Sequence, residues 1–349
     1  MPRFHLDQIV FETTEVCNQC CRFCYNHWRD GRSPLPAPDP VQARRTLRKL
    51  LKEVSVGTLS FSGGEPLLLG NIADLVLSAR FKGSRVNVLT NGTLLTDDIL
   101  TDFMHLGVGT VQVPLLSADA AVHEYLTALP GSWEKAVKAL RRVGEARIGA
   151  AVLVLTRVNA DGCGRTLELI RDCGIRTVMV NRFNIGGMGL RNSGELIPDR
   201  ALLSRTFALI EAFAAAHPDM HFVSGVCTPL CYLDTAPFPH IRFSRCSPDL
   251  AQRPVTVHYR GDVRFCNHSP FVLGNLHERS LADILADPGL NAWYAAVPDG
   301  CNGCSLLERC GCGCRAASEQ VFGTFAYADP ILGGGWHTAS GWCNRPERV

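Results

Sequence analysis

Cys17, Cys21 and Cys24 stand in a C-x3-C-x2-C run, Cys17-Asn18-Gln19-Cys20-Cys21-Arg22-Phe23-Cys24, with Tyr25 behind it. Three thiolates on so short a loop can hold three corners of a four-iron cubane and cannot supply the fourth. An iron left open is a place for a small molecule to chelate, which points to chemistry rather than electron storage. The competing reading is a structural zinc site, with Cys20 or His27 as its fourth ligand. A second motif is Gly63-Gly64-Glu65-Pro66. After a strand, two glycines let a ligand approach bare backbone, and Glu65 can accept from an ammonium group. A plain strand-to-helix turn is the alternative. The third motif is C-terminal: Cys246, fourteen residues, Gly261, four residues, Cys266, then Cys301-x2-Cys304-x5-Cys310-x3-Cys314, and finally Cys343. Four thiolates within 301–314 suit tetrahedral zinc. A zinc ribbon, however, leaves Cys246, Cys266 and Cys343 unexplained.

These residues need a scaffold. The chain has 349 residues, 46% hydrophobic and 19% charged, with a net charge of +2, enough for a large core and two lobes. No long basic run argues for nucleic acid or an anionic membrane, and no apolar stretch approaches the ~18 residues of a membrane span. Residues 1–7 do not read as a signal peptide, so a cytoplasmic protein is expected. Sixteen cysteines in such a chain, at tight spacings, read as metal ligands rather than disulfides. They fall in three fields: four in 17–24, only Cys163 and Cys173 in the middle, and the rest from Cys227 onward.

Strand patterns over 8–13, 56–62, 85–89, 110–115, 148–155 and 177–180 alternate with helical ones over 41–53, 72–80, 97–105, 133–143 and 164–172. Alternation of this kind predicts an α/β fold with a parallel sheet, a partial (β/α)6 TIM-like barrel. Its site lies at the C-terminal ends of the strands, where the cysteine loop, Gly63–Pro66 and Thr90-Asn91-Gly92 all fall. Residues 1–190 are expected to form this barrel, 191–223 a connecting helical segment, and 224–349 a small cysteine-rich domain stapled by metal.

Taken together, Cys17-x3-Cys21-x2-Cys24 with Phe23 before the last cysteine, and Gly63-Gly64-Glu65-Pro66, resemble the radical S-adenosylmethionine (SAM) superfamily. The cysteine field from Cys246 to Cys343 resembles its SPASM extension. The resemblance implies a [4Fe–4S] cluster on Cys17, Cys21 and Cys24 whose open iron is chelated by SAM. Reductive cleavage then gives a 5′-deoxyadenosyl radical that abstracts hydrogen from an unactivated carbon. It implies that Gly63, Gly64, Glu65 and Pro66 bind the methionine amino group, that the Tyr25 backbone contacts adenine and that Asn91 contacts ribose. It also implies two auxiliary clusters, one on Cys246, Cys266 and Cys314 and the other on Cys301, Cys304, Cys310 and Cys343. The three four-iron clusters would draw electrons from a reductase or flavodoxin-type donor. Cys227, Cys231 and Cys312 are candidates for the missing fourth ligand of the first auxiliary cluster, which could also stay open for substrate.

The chain departs from the family pattern after the fourth strand. Relatives often carry Ser-Leu-Asp-Gly, then His-Asp and an arginine near the SAM carboxylate. Here stand Pro114-Leu115-Leu116-Ser117, His123-Glu124 and Thr127. Ser117 and Gln112 are the replacement candidates. Asn267 follows Cys266 where sulfatase-maturing relatives place a basic aspartate, and an amide cannot take that proton. Arg182, Asn184 and His268 are candidates for substrate contact at the barrel mouth. The first strand begins within ten residues of the start, leaving no room for an N-terminal leader-binding domain. Either a separate protein presents a peptide, or the substrate is small. The favoured expectation is oxidative modification of a ribosomally made peptide. The alternative is a sugar, nucleoside or tetrapyrrole in antibiotic or cofactor biosynthesis.

Overall fold

The structure, a computed structural model, describes residues 4–29, 35–247 and 254–333. Its centre is one eleven-stranded sheet in the order β11-β10-β9-β1-β2-β3-β4-β5-β6-β7-β8. The first six strands are β1 (Phe4–Glu12), β2 (Val54–Ser62), β3 (Arg85–Leu89), β4 (Thr110–Pro114), β5 (Gly149–Leu155) and β6 (Thr177–Arg182). All pair in parallel with their sequence neighbours. The sheet does not close, so the expected partial barrel is correct.

Helices cross between the strands: α1 (Pro40–Glu53), α2 (Ile72–Phe81), α3 (Asp97–His105), α4 (Ala120–Thr127), α5 (Ser132–Glu145) and α6 (Cys163–Asp172). α1 buries Ala43, Thr46, Leu47, Leu50 and Leu51 along one stripe and turns Arg44, Arg45, Arg48 and Lys49 away from it. Asp39 caps its start by accepting from the Gln42 N–H at 2.9 Å. Thr96 does the same for α3, and Asp119 for α4. Helix α4 has no counterpart in the sequence reading, because its eight residues fall inside what looks like a loop.

The C-terminal region does not stand apart from this sheet. β7 (His221–Ser224) and β8 (Ile241–Phe243) extend it beyond β6. β9 (Val255–His258) returns to the other edge and pairs in parallel with β1, Phe11 opposite Val257. β10 (Asp262–Arg264) and β11 (Val272–Asn275) complete that side as antiparallel strands. β1, whose end launches the cysteine loop, is therefore interior to the sheet. Its Ile9 and Phe11 lie in a core that also holds Phe61, Val257 and Phe265. Between β6 and β7 come short helices α7 (Gly187–Arg191) and α8 (Ser193–Leu196), then α9 (Arg200–Ala216).

Candidate functional site

Cys17, Cys21 and Cys24 lie on the loop that leaves the C-terminal end of β1. The loop is held from both sides. The N–H of Gly64 donates to Thr14 O at 2.7 Å and that of Glu65 to Val16 O at 2.8 Å. Asn26 Nδ2 donates to Gly63 O at 3.1 Å, and Gly189 N to Cys24 O at 3.0 Å. The missing side chains of Gly63 and Gly64 serve a neighbour within the fold. A Cβ on Gly64 would lie 2.1 Å from Val16 O, and one on Gly63 2.4 Å from Thr14 O. The glycines admit the cysteine loop's own backbone.

Glu65 is held within the fold. Its side chain is fully buried, and its carboxylate accepts from donors within the fold: Thr90 Oγ1 at 2.7 Å, the Asn91 N–H at 2.7 Å and the Leu67 N–H at 3.0 Å. Burial pushes its pKa up to about 7 against those donors. It clamps Gly63–Pro66 to Thr90–Gly92, and with three donors on two oxygens the carboxylate keeps room for one more. Asn91, fixed in this way, turns Nδ2 toward Cys17 Sγ at 3.7 Å and Asn18 Oδ1 at 2.7 Å, while Oδ1 accepts from the Thr93 N–H at 2.9 Å.

The three thiols share one environment. Burial raises the pKa of each: Cys17 upward, Cys21 well above its usual value, and Cys24 to about 11. Neighbouring thiolates push Cys21 and Cys24 further in the same direction. Three sulfurs that repel one another as anions fit a group that brings its own positive charge, as iron does. Cys20 is exposed, with Arg29 Nη2 3.6 Å from its sulfur, which matches a bystander. Among the described residues, no three Cys, His, Asp or Glu side chains converge as a single-ion site would require. Ser117 is buried, and its Oγ accepts from the Asp119 N–H at 3.0 Å as α4 begins.

The C-terminal thiols form two groups. Cys227 and Cys246 are hydrogen-bonded through their side chains, Cys314 is close enough to act on Cys227 electrostatically, and Cys266 packs on Cys314. Cys301 hydrogen-bonds to Cys312, with Cys310 and Cys231 nearby, and Cys304 also acts on Cys231. Gly311, Cys312 and Gly313 have φ values of 65°, 66° and 72°. This left-handed turn separates Cys310, in the second group, from Cys314, in the first. Cys343 lies outside the described residues.

Buried polar contacts join these groups to the barrel. Tyr25 donates nothing from its backbone to the C-terminal segment but accepts: Gln320 Nε2, on the helix Arg315–Phe322, reaches Tyr25 O at 2.9 Å and His268 O at 2.7 Å. Its hydroxyl accepts from Asn267 Nδ2 at 2.7 Å, and its ring lies 3.8 Å from that of His268. Arg182 is not at a solvated mouth. It is fully buried, paired with Asp329, and donates to Cys227 O at 2.6 Å and Thr228 Oγ1 at 3.2 Å. Asp329 in turn accepts from the Cys314 N–H at 2.7 Å. Gln320 and Asp329 carry no signal in the sequence, since both act across the fold on residues distant in the chain.

The family model of the Radical SAM superfamily matches residues 11–170, and that of the SPASM iron–sulfur cluster-binding domain matches residues 246–311. The chain belongs to the radical SAM superfamily and carries a C-terminal SPASM domain. It is therefore an enzyme whose chemistry depends on SAM and a [4Fe–4S] cluster. A radical SAM relative in Xanthomonas campestris pv. campestris strain 8004, "PqqA peptide cyclase", is 29% identical over 336 residues, covering 93% of this chain and 85% of its own. The protein of that name from Streptomyces rochei is also 29% identical, covering 93% and 88%. Among solved structures, Streptococcus suis SuiB bound to S-adenosylmethionine aligns with a TM-score of 0.69 at 17% identity, over 95% of this chain and 77% of its own. anSMEcpe with bound AdoMet and Cp18Cys peptide aligns at 0.68 and 15% identity, over 94% of each. Both share the fold of this radical SAM enzyme. Among the described residues, no helix is long and apolar enough to cross a membrane.

Proposed function

We propose that this radical SAM enzyme oxidatively modifies a ribosomally made peptide, forming a crosslink, thioether or related product. The observation that carries this reading is the grouping of thiols at three places: Cys17, Cys21 and Cys24 on the β1 loop, and the two C-terminal groups. When bound, SAM and the first cluster supply the organic radical that takes hydrogen from a Cα or Cβ of the substrate. Cys17, Cys21 and Cys24 hold that cluster and leave one iron for SAM. The clamp made by Glu65 sets Asn91 beside Cys17, where it would contact the ribose of bound SAM, and the backbone of Tyr25 would contact its adenine. The first auxiliary site takes Cys246, Cys266 and Cys314. Cys227, hydrogen-bonded to Cys246, is its fourth ligand in preference to Cys231 and Cys312, which lie with the other group. The second takes Cys301, Cys304 and Cys310 with Cys343. A peptide substrate is favoured by the relatives named for cyclising PqqA peptide and by the peptide-bound anSMEcpe and SuiB structures. A flavodoxin-type donor supplies the reducing electron.

Anaerobic reconstitution should give about twelve irons per chain, from three four-iron clusters. With SAM and dithionite the protein should release 5′-deoxyadenosine, and Cys17→Ala should abolish that release while retaining the auxiliary iron. A protein that loads iron and leaves SAM intact refutes the reading. Incubation with short peptides encoded beside the gene should shift a peptide mass by loss of two hydrogens.

A further inference from the structure

Asn184 lies two residues beyond β6 and is 5% exposed. Its Nδ2 is 3.5 Å from Cys314 Sγ and within hydrogen-bond distance of His268 Nδ1. The amide carries two N–H groups, one for the sulfur and one for His268 Nδ1 in the tautomer protonated at Nε2, while its Oδ1 is buried without a partner among the described residues. His268 is itself wedged between the Tyr25 ring and the Cys314 sulfur, 4.0 Å from the latter. This packing fixes the amide plane and aims one N–H at the sulfur. A rotated amide would set an oxygen acceptor against a thiolate, so a metal-bound Cys314 favours the orientation seen.

We propose that Asn184 tunes the first auxiliary cluster, raising its reduction potential through an N–H···S hydrogen bond to Cys314. The inference rests on the assignment of Cys314 as a ligand of that cluster. Reduction adds one negative charge, spread largely over the sulfurs. A donor dipole at a sulfur stabilises the reduced form more than the oxidised one, and such contacts set the potential of iron–sulfur centres. A cluster so poised is a stronger one-electron acceptor for the electron that a substrate radical gives up when it becomes a closed-shell product, its proton passing to solvent. Asn184 is thus a positioning residue, acting through the cluster. Its place two residues past the sixth strand of the barrel, 130 residues before Cys314, also makes the barrel mouth part of the auxiliary site's electrostatics.

The test is an EPR-monitored redox titration of the reconstituted enzyme against Asn184→Leu, Asn184→Ala and Asn184→Gln. In the Leu and Ala variants the auxiliary midpoint should fall, by on the order of a tenfold change in the one-electron equilibrium, or about 59 mV. The SAM-site midpoint and total iron should stay as in wild type, and the longer amide of Asn184→Gln should restore part of the shift. Turnover with peptide should then release more 5′-deoxyadenosine per product formed. An unmoved auxiliary midpoint at full iron content overturns the proposal, as does loss of auxiliary iron in all three variants, which would make the residue structural. Cys314→Ala separates the underlying assignment: if that variant keeps the complete auxiliary signal, Cys314 is not a ligand and the assignment fails before the inference is reached.

Discussion

Glu65 shows how a motif residue can carry contacts within the fold that its motif does not announce. Its position beside the SAM loop follows from Gly63-Gly64-Glu65-Pro66, but its carboxylate faces three donors from its own fold. Those donors belong to Leu67, Thr90 and Asn91, and only the first is near in sequence. The sign of its pH effect follows from its pKa, near 4.5 when unfolded and about 7 in the fold. Between those values the folded chain keeps a proton that the unfolded chain releases, so stability falls as pH rises through that window and is level outside it. Denaturation across pH 4–8 should show this slope, and Glu65→Gln should flatten it. The same substitution turns an amide N–H toward backbone donors and should cost about 1–3 kcal/mol at pH 6, as a buried polar group without its partner does. A Glu65→Gln protein with wild-type slope would place the titration elsewhere. Cys17, Cys21 and Cys24, and Cys301, Cys304, Cys310 and Cys314, by contrast, stood out at this scale, because their information lies in spacings of two to five residues. Arg182, Asn184 and Gln320 were not, since their partners Asp329, Cys314 and Tyr25 lie 130 or more residues away.

At the scale of elements, the βα units declared themselves through periodicity. β3 and α3 run as expected, Arg85–Leu89 and Asp97–His105, since each has a full alternation or an amphipathic stripe bounded by Asn-Gly or Thr-Asp signals. β7, β8 and β11 were missed for the opposite reason. Strands of three or four residues are too short to show a period, and their pairing partners come from the existing sheet. The loop elements carry a further consequence. Gly64 brings the turn after β2 against the turn after β1, with no room for a methyl group. Gly64→Ala should therefore spread the two loops and lose the iron at Cys17, Cys21 and Cys24, while auxiliary iron is retained. Iron analysis and the yield of 5′-deoxyadenosine both check this, and a variant with full SAM cleavage would show that the loops can part without cost.

At the scale of the whole molecule, the described strands join one open sheet with thiol groups at three places. β9 and β10 lie at one edge of the barrel strands, β7 and β8 at the other. What the sequence left open at this scale was the fourth ligand of the first auxiliary site, because three cysteines were available and spacing could not rank them. The hydrogen bond between Cys227 and Cys246 is what supports the proposal of Cys227. Cys227→Ala should cost the enzyme about one four-iron cluster, leaving about eight irons per chain, whereas Cys231→Ala should leave the first auxiliary EPR signal intact. The reverse result would exchange their roles.

The pairing of Phe11 with Val257 also places a demand on synthesis. β1 leaves the ribosome well before β9, its second neighbour in the sheet. At elongation rates of about 5–20 residues per second, one side of β1 waits roughly 10–50 s for β9. Throughout that wait an apolar strand edge, next to three unliganded thiols, is open to other chains. A nascent protein of this design depends on that edge being shielded, as by a chaperone, until β9 arrives, since β2 covers only the opposite edge.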